Sequence, residues 1–152
     1  MNLKRFTSAS GQYCIALPKD WDEYDDDEEN THAFFNSAYK EWKGNLRITQ
    51  FHRTDTIELG IDKPVEFLMS EFIENEGATR RKFDSFDWVH YKKDIIQDNE
   101  EFVIYYWAIG AQNDLFICSF TVAKRQVGTR ENGCELETVE NILKSININL
   151  PQ

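Results

Sequence analysis

Residues 101–123 read EFVIYYWAIGAQNDLFICSFTVA, and this stretch decides the fold. Phe102, Ile104, Tyr106 and Ala108 form one alternating set, Val103, Tyr105, Trp107 and Ile109 the other, and both are apolar. Successive side chains of a strand point to opposite faces, so a strand of this composition needs cover above and below. Residues 115–122 show much the same double-sided pattern. The turn-like residues 110–114 are too short for a crossover, so strands over 101–109 and 115–123 must run antiparallel.

Working outward, residues 86–95 give a third strand beside these two, and residues 31–36 and 46–52 two more that could pair as a hairpin around Gly44 and Asn45. Tyr13, Ile15 and Leu17 alternate with Cys14 and Ala16 as a further strand, which Pro18 ends. A helix is predicted after Asp62, a capping residue, with Pro64 in the first turn and Gly77 closing it. Val65, Leu68, Met69, Phe72 and Ile73 recur at helical spacing and must pack on something. A polar loop over 124–133 leads to a second helix from about 135 to 146, with Leu136, Val139, Leu143 and Ile146 on one side. Ile146, Ile148 and Leu150 then alternate as a short strand or docked tail. The reading is an α+β domain spanning 1–152, with an antiparallel sheet of about six or seven strands.

The run from Tyr13 to Trp21, a strand delivering into the turn Pro18-Lys19-Asp20-Trp21, resembles the opening of Mog1/PsbP-like domains. So does the order that follows: Lys43-Gly44-Asn45-Leu46-Arg47-Ile48-Thr49 opening a strand, a helix, three antiparallel strands and a final helix. The style of the match is that of a small uncharacterised bacterial family of this fold. The resemblance implies helices packed on both faces of the sheet. Known members mostly act by binding other proteins, as adaptors, chaperones or extrinsic subunits, so it also implies binding rather than catalysis.

The chain carries 17 basic and 27 acidic residues, a net charge of −10, which argues against nucleic acid or an anionic membrane as partner. The charge is concentrated. Residues 19–29 hold eight acidic side chains against Lys19, a local −7 that leaves only −3 for the rest. This stretch reads as an acidic loop, and Trp21 and Tyr24 within it, with Asp25, Asp26, Asp27, Glu28 and Glu29, are candidate contacts for a basic protein surface. Trp21 has a second reading as a plug over one end of the core. No Ca²⁺-loop pattern fits the carboxylates, so a metal role for them stays open and no cofactor is expected. Tyr105 and Trp107 are candidates for a groove on a partly uncovered sheet face.

Cys14, Cys118 and Cys134 form no C-x-x-C pair, which with the absence of an apolar leader-like start fits a reducing, cytoplasmic setting. His32, His52 and His90 each lie on or beside a strand, with satisfied or surface positions as the default. Gly128 to Gly133 has the glycine spacing of a phosphate loop but lacks its Lys-Ser/Thr. Arg80, Arg81 and Lys82 form a small basic run that pairs with the acidic loop or marks a second contact surface. The function expected is a non-enzymatic protein-binding domain of adaptor, chaperone or immunity-like type. The alternative is a small enzyme or ligand-binding domain with a pocket between sheet and helix.

Overall fold

In the computed structural model, which describes residues 2–24, 28, 30–39, 44–52, 60, 64–111 and 114–148, the chain places its most apolar strand near the middle of a wide sheet. In chain order the elements are β1 (Leu3–Thr7), β2 (Tyr13–Pro18), β3 (Trp21–Tyr24), β4 (Thr31–Asn36), β5 (Asn45–His52), α1 (Pro64–Glu74), β6 (Thr79–Phe83), β7 (Phe86–Gln97), β8 (Glu100–Ala111), β9 (Asp114–Ala123), a 3₁₀ turn (Lys124–Gln126), α2 (Arg130–Lys144) and β10 (Asn147–Ile148). Seven strands form one sheet in the order β3-β4-β5-β9-β8-β7-β6, and β1-β2-β10 form a second, smaller one. Every pairing is antiparallel, including the β4–β5 hairpin.

The register brings the two apolar sets of β8 to opposite faces. Trp107 lies opposite Cys118 of β9 and His90 of β7, while Ala108 lies opposite Ile117 and Val89. On the first face Val103, Tyr105, Trp107 and Ile109 join Phe116, Phe120, Leu46 and Ile48 in the main core, closed by Tyr13, Ile15 and Leu17 of β2 and by Val139, Ile142 and Leu143 of α2. On the second, Val89, Ala108 and Leu115 pack on Leu68 of α1. A helix therefore covers each face, and the small sheet adds cover on one of them.

Several local expectations are corrected by pairing. The stretch 19–29 does not start as a loop: its first part is β3, with Trp21 opposite Asn36 and turned into the core against Phe120 at 6.4 Å between centroids. Adjacent carboxylates hide this strand from a hydropathy reading. Leu3–Thr7 and Thr79–Phe83 are also strands that apolar alternation does not reveal, because they sit at sheet edges with their side chains mostly in water. Helix α2 starts at Arg130 rather than near 135, because the Thr129 side chain accepts a bond from the Asn132 N–H at 3.2 Å and nucleates the helix before Gly133. The Gly128–Gly133 spacing is thus a helix start.

Helix α1 matches its expected span, with Gly77 left-handed (φ 79°) in the turn towards β6; Asp62 lies outside the described residues. Its apolar stripe is wider than the sheet uses. Leu68 is buried, but Val65 remains 49% exposed and Ile73 76%. Residues 112–113 and Leu150 lie outside the described residues, and Asn147 and Ile148 form β10 on β2.

A Cβ added at Gly44 would stand 2.5 Å from Cζ of Phe120 and 3.0 Å from Cγ1 of Val122, both in the core. Gly44→Ala should therefore destabilise the fold by about 1–3 kcal/mol, read as a lower urea midpoint at unchanged slope.

His90 stacks on Trp107 with centroids 4.6 Å apart and donates Nδ1–H to the Tyr106 carbonyl at 2.8 Å. Burial is the largest influence on it and lowers its pKa from the ordinary 6.5, with the bond to Tyr106 opposing. The unfolded chain thus takes up this proton first as pH falls. The stability that neutral His90 contributes is present above the ordinary value and is lost as pH drops through the lowered one. In urea titrations between about pH 7 and about pH 5, His90→Phe should lose less stability than the parent.

Candidate functional site: the charged edges of the sheet

The seven-stranded sheet ends in β3 on one side and β6 on the other, and the two edges carry opposite charge. At the acidic edge, burial of Trp21 (2% exposed) anchors β3 while Asp22 and Glu23 stay exposed. Asp22 Oδ1 accepts from Lys4 Nζ at 3.0 Å, and that bond is the main cause holding its carboxyl below the ordinary range. Glu23 Oε2 lies 2.6 Å from His32 Nδ1. The Ala9 N–H donates to His32 Nε2 at 3.2 Å, and a backbone amide only donates, so Nε2 carries the lone pair and Nδ1 the proton. His32 is a satisfied strand residue that props up Glu23. Tyr24 Oη accepts from Asn45 Nδ2 at 2.6 Å and its ring meets Phe35 edge-on, while exposed Glu28 pairs with Arg47 at 3.0 Å. Asp25, Asp26, Asp27 and Glu29 lie outside the described residues. Beside the start of β3, Asn2, Lys19, Asp20, Trp21, Asn36 and Thr138 border an open cleft of about 430 Å³.

The aromatic groove expected from Tyr105 and Trp107 is not open. They are 7% and 1% exposed, because their face of β8 is the one closed by β2 and α2. Trp21 is likewise the core plug and not an exposed anchor.

At the basic edge, Arg80, Arg81 and Lys82 occupy β6, opposite Val89, Trp88 and Asp87. Arg81 pairs with Glu140 of α2 and lies over the Trp88 ring at 4.8 Å, whereas Arg80 lies over Phe72 of α1 at 5.5 Å. Between α1 and this edge runs a groove of about 310 Å³, with Val65, Leu68 and Met69 on its helix side. The run of cations is visible in the sequence, but its place beside an exposed helix flank is not.

One polar constellation escapes sequence reasoning altogether. Gln50 Nε2 and His52 Nδ1 both lie 3.0 Å from Oδ1 of buried Asp114, which stands opposite His52 in the β5–β9 register. Asp114 is the first residue of β9, a charged residue ahead of its apolar ones, so nothing local marks it as buried.

Among the thiols, Cys118 is fully enclosed and burial pushes its pKa well up, Cys14 accepts from Arg5 Nη2 at 3.3 Å, and Cys134 is exposed on α2. No group of three or more His, Cys, Asp or Glu among the described residues is placed to hold a metal ion. No helix among the described residues is long and apolar enough to cross a membrane.

No curated protein matches the chain. Among solved structures, it is similar to a protein of Bacteroides thetaiotaomicron with TM-score 0.74 and 24% identity, covering 99% of this chain and 50% of that one. The chain thus spans about half the length of that relative. It is also similar to LpqN, described as involved in cell envelope biogenesis of Mycobacterium tuberculosis, with TM-score 0.55, 7% identity and coverage of 98% and 91%. These likenesses concern fold alone, and the architecture is the Mog1/PsbP-like one that the sequence resembles. Over residues 1–151 the chain matches the family described as a domain of unknown function (DUF3805), and it belongs to that family.

Proposed function

We propose that this is a non-enzymatic protein-binding domain, of adaptor, chaperone or immunity-like type, that presents its acidic edge to a basic surface of a partner in the bacterial cytoplasm. The observation that carries the reading is the mounting of β3. Trp21 fixes the strand in the core while Asp22 and Glu23 stand exposed on the outermost strand, held in place by Lys4 and His32, with Glu28 beyond them. Carboxylates ordered before binding lose less freedom on contact, and a concentrated field of one sign speeds encounter with the opposite one. The buried Tyr105 and Trp107 are no part of this surface. The three free thiols support a reducing compartment.

The reading is tested by affinity capture from native lysate with the parent and with an Asp22→Asn, Glu23→Gln, Glu28→Gln variant. The parent should retain a partner at about 100 mM salt and release much of it at about 300 mM, where the screening length shortens. The variant should retain little at either. Equal capture by both proteins would remove the acidic edge as the contact.

A second reading, a small enzyme or ligand-binding domain, is favoured by the His52–Asp114 pair, since a carboxylate on Nδ1 orients an imidazole as it does in general-base sites. If the pair is structural, Asp114→Ala should cost about 1–3 kcal/mol by stranding the buried Gln50 amide. His52→Ala should cost less, and no chromogenic ester should turn over. Ester turnover abolished by both substitutions would instead establish the enzymatic reading.

A further inference from the structure

The basic edge lies on the far side of the sheet from the acidic one and calls for its own occupant. Strand β6 pairs only with β7 among the described residues, so its outer backbone groups have no strand partner there. A row of unpaired N–H and C=O groups is a template for another strand, and folded proteins commonly blunt it with charge. Here the charge is unusual for the molecule: three consecutive cations on a chain of net −10.

Two further features coincide with it. Helix α1 leaves Val65 and Ile73 exposed on the flank that carries Met69, so apolar surface remains uncovered beside the edge. The groove of about 310 Å³ between that flank and β6 is lined by Val65, Leu68 and Met69 together with Arg80, Arg81, Lys82 and a single anion, Asp87. By register Arg80 and Lys82 share the face of the sheet that bears Val89 and α1, while Arg81 is turned to the other face, where Glu140 neutralises it.

We propose that the outer edge of β6, with the groove between it and α1, is a docking site for an extended acidic segment of a partner protein, which adds as a further strand of the sheet. Main-chain hydrogen bonds to β6 would supply affinity and the side chains alternating along the added strand would supply selectivity. Acidic residues opposite Arg80 and Lys82 complete cross-strand ion pairs. By strand alternation these acidic side chains lie on the α1 face, where their methylenes cover the Val65 and Met69 side of the groove, and the residue between them turns to the other face, towards Arg81. The acidic edge at β3 requires a basic partner, so the two surfaces select different sequences and either can be lost without the other.

The experiment uses the full chain and a fluorescein-labelled peptide of about eight residues alternating valine and glutamate, a length that matches an ordinary strand. Its controls are a valine–lysine peptide and a valine–glutamate peptide N-methylated at every residue, which has no main-chain donor on either edge. Anisotropy should report binding of the acidic peptide only. Affinity should fall by about tenfold or more in an Arg80→Glu, Lys82→Glu variant and also in Val65→Glu, which sets a carboxylate against those of the peptide. Circular dichroism confirms folding of both variants, whose altered side chains are exposed in the parent. The Asp22, Glu23 and Glu28 substitutions should leave peptide binding unchanged.

Four outcomes overturn the proposal: no binding of the acidic peptide, equal binding of the lysine peptide, equal binding after N-methylation, or full affinity in the charge-reversed variant. Sedimentation of the parent as a dimer that the Arg80→Glu, Lys82→Glu variant dissolves would overturn it too, by assigning the edge to a second copy.

Discussion

The burial of β8 on both faces is the constraint on which the rest of the structure depends. A strand that alternates Tyr105 and Trp107 with Tyr106 and Ala108 has no face it can leave to water, so each face must acquire a layer. One is supplied by α2 and by β2 of the small sheet, the other by α1. The two layers differ in thickness. The first encloses three tryptophans, Trp21, Trp88 and Trp107, in a core that runs almost the width of the sheet, whereas the second is a single short helix with one buried leucine. Val65 and Ile73 of that helix are accordingly left exposed.

This asymmetry explains where surface for the proposed contacts remains. The main core consumes the aromatic residues that would otherwise be obvious partner contacts: Trp21, Tyr105 and Trp107 bind the protein to itself. What is left for another molecule lies at the rims, where strands end and backbone pairing stops. There the charges have separated, acidic at β3 and basic at β6, across the full width of the sheet. Separation at this distance also prevents the two clusters from neutralising each other within one molecule, because exposed charges further apart than about 10 Å are largely screened. The basic run and the carboxylates of Asp22 and Glu23, which on the sequence could be paired, are placed at opposite edges.

The polar constellations show the same division between satisfied structure and available surface. His32 bridges the Ala9 amide and Glu23, and half-buried His90 stacks on Trp107 of the core with its Nδ1–H on a carbonyl. Both fit the default expected for strand histidines. His52, beside buried Asp114, is the one placed as a proton-transfer group would be. Family membership and fold leave that assignment open to experiment, since neither carries a chemistry of its own.

By itself the sequence determined the α+β class, the antiparallel run from 86 to 123, the span of α1, and which β8 residues share a face, because hydrophobic period is a local property that neighbouring residues display together. The sequence did not show the start of α2 at Arg130, because the glycine at 133 masks the cap that Thr129 supplies. Tertiary structure alone decided that β1, β3 and β6 are strands, that β2 belongs to a separate sheet, and that Asp114 is buried with Gln50 and His52. Edge strands have no apolar alternation to show, and a buried carboxylate looks like any other until its partners arrive from 62 and 64 residues away. Whether Trp21 is an anchor for a partner or a plug in the core depends on which surfaces β4 and β9 bring over it, and that is settled only when distant segments of the chain meet.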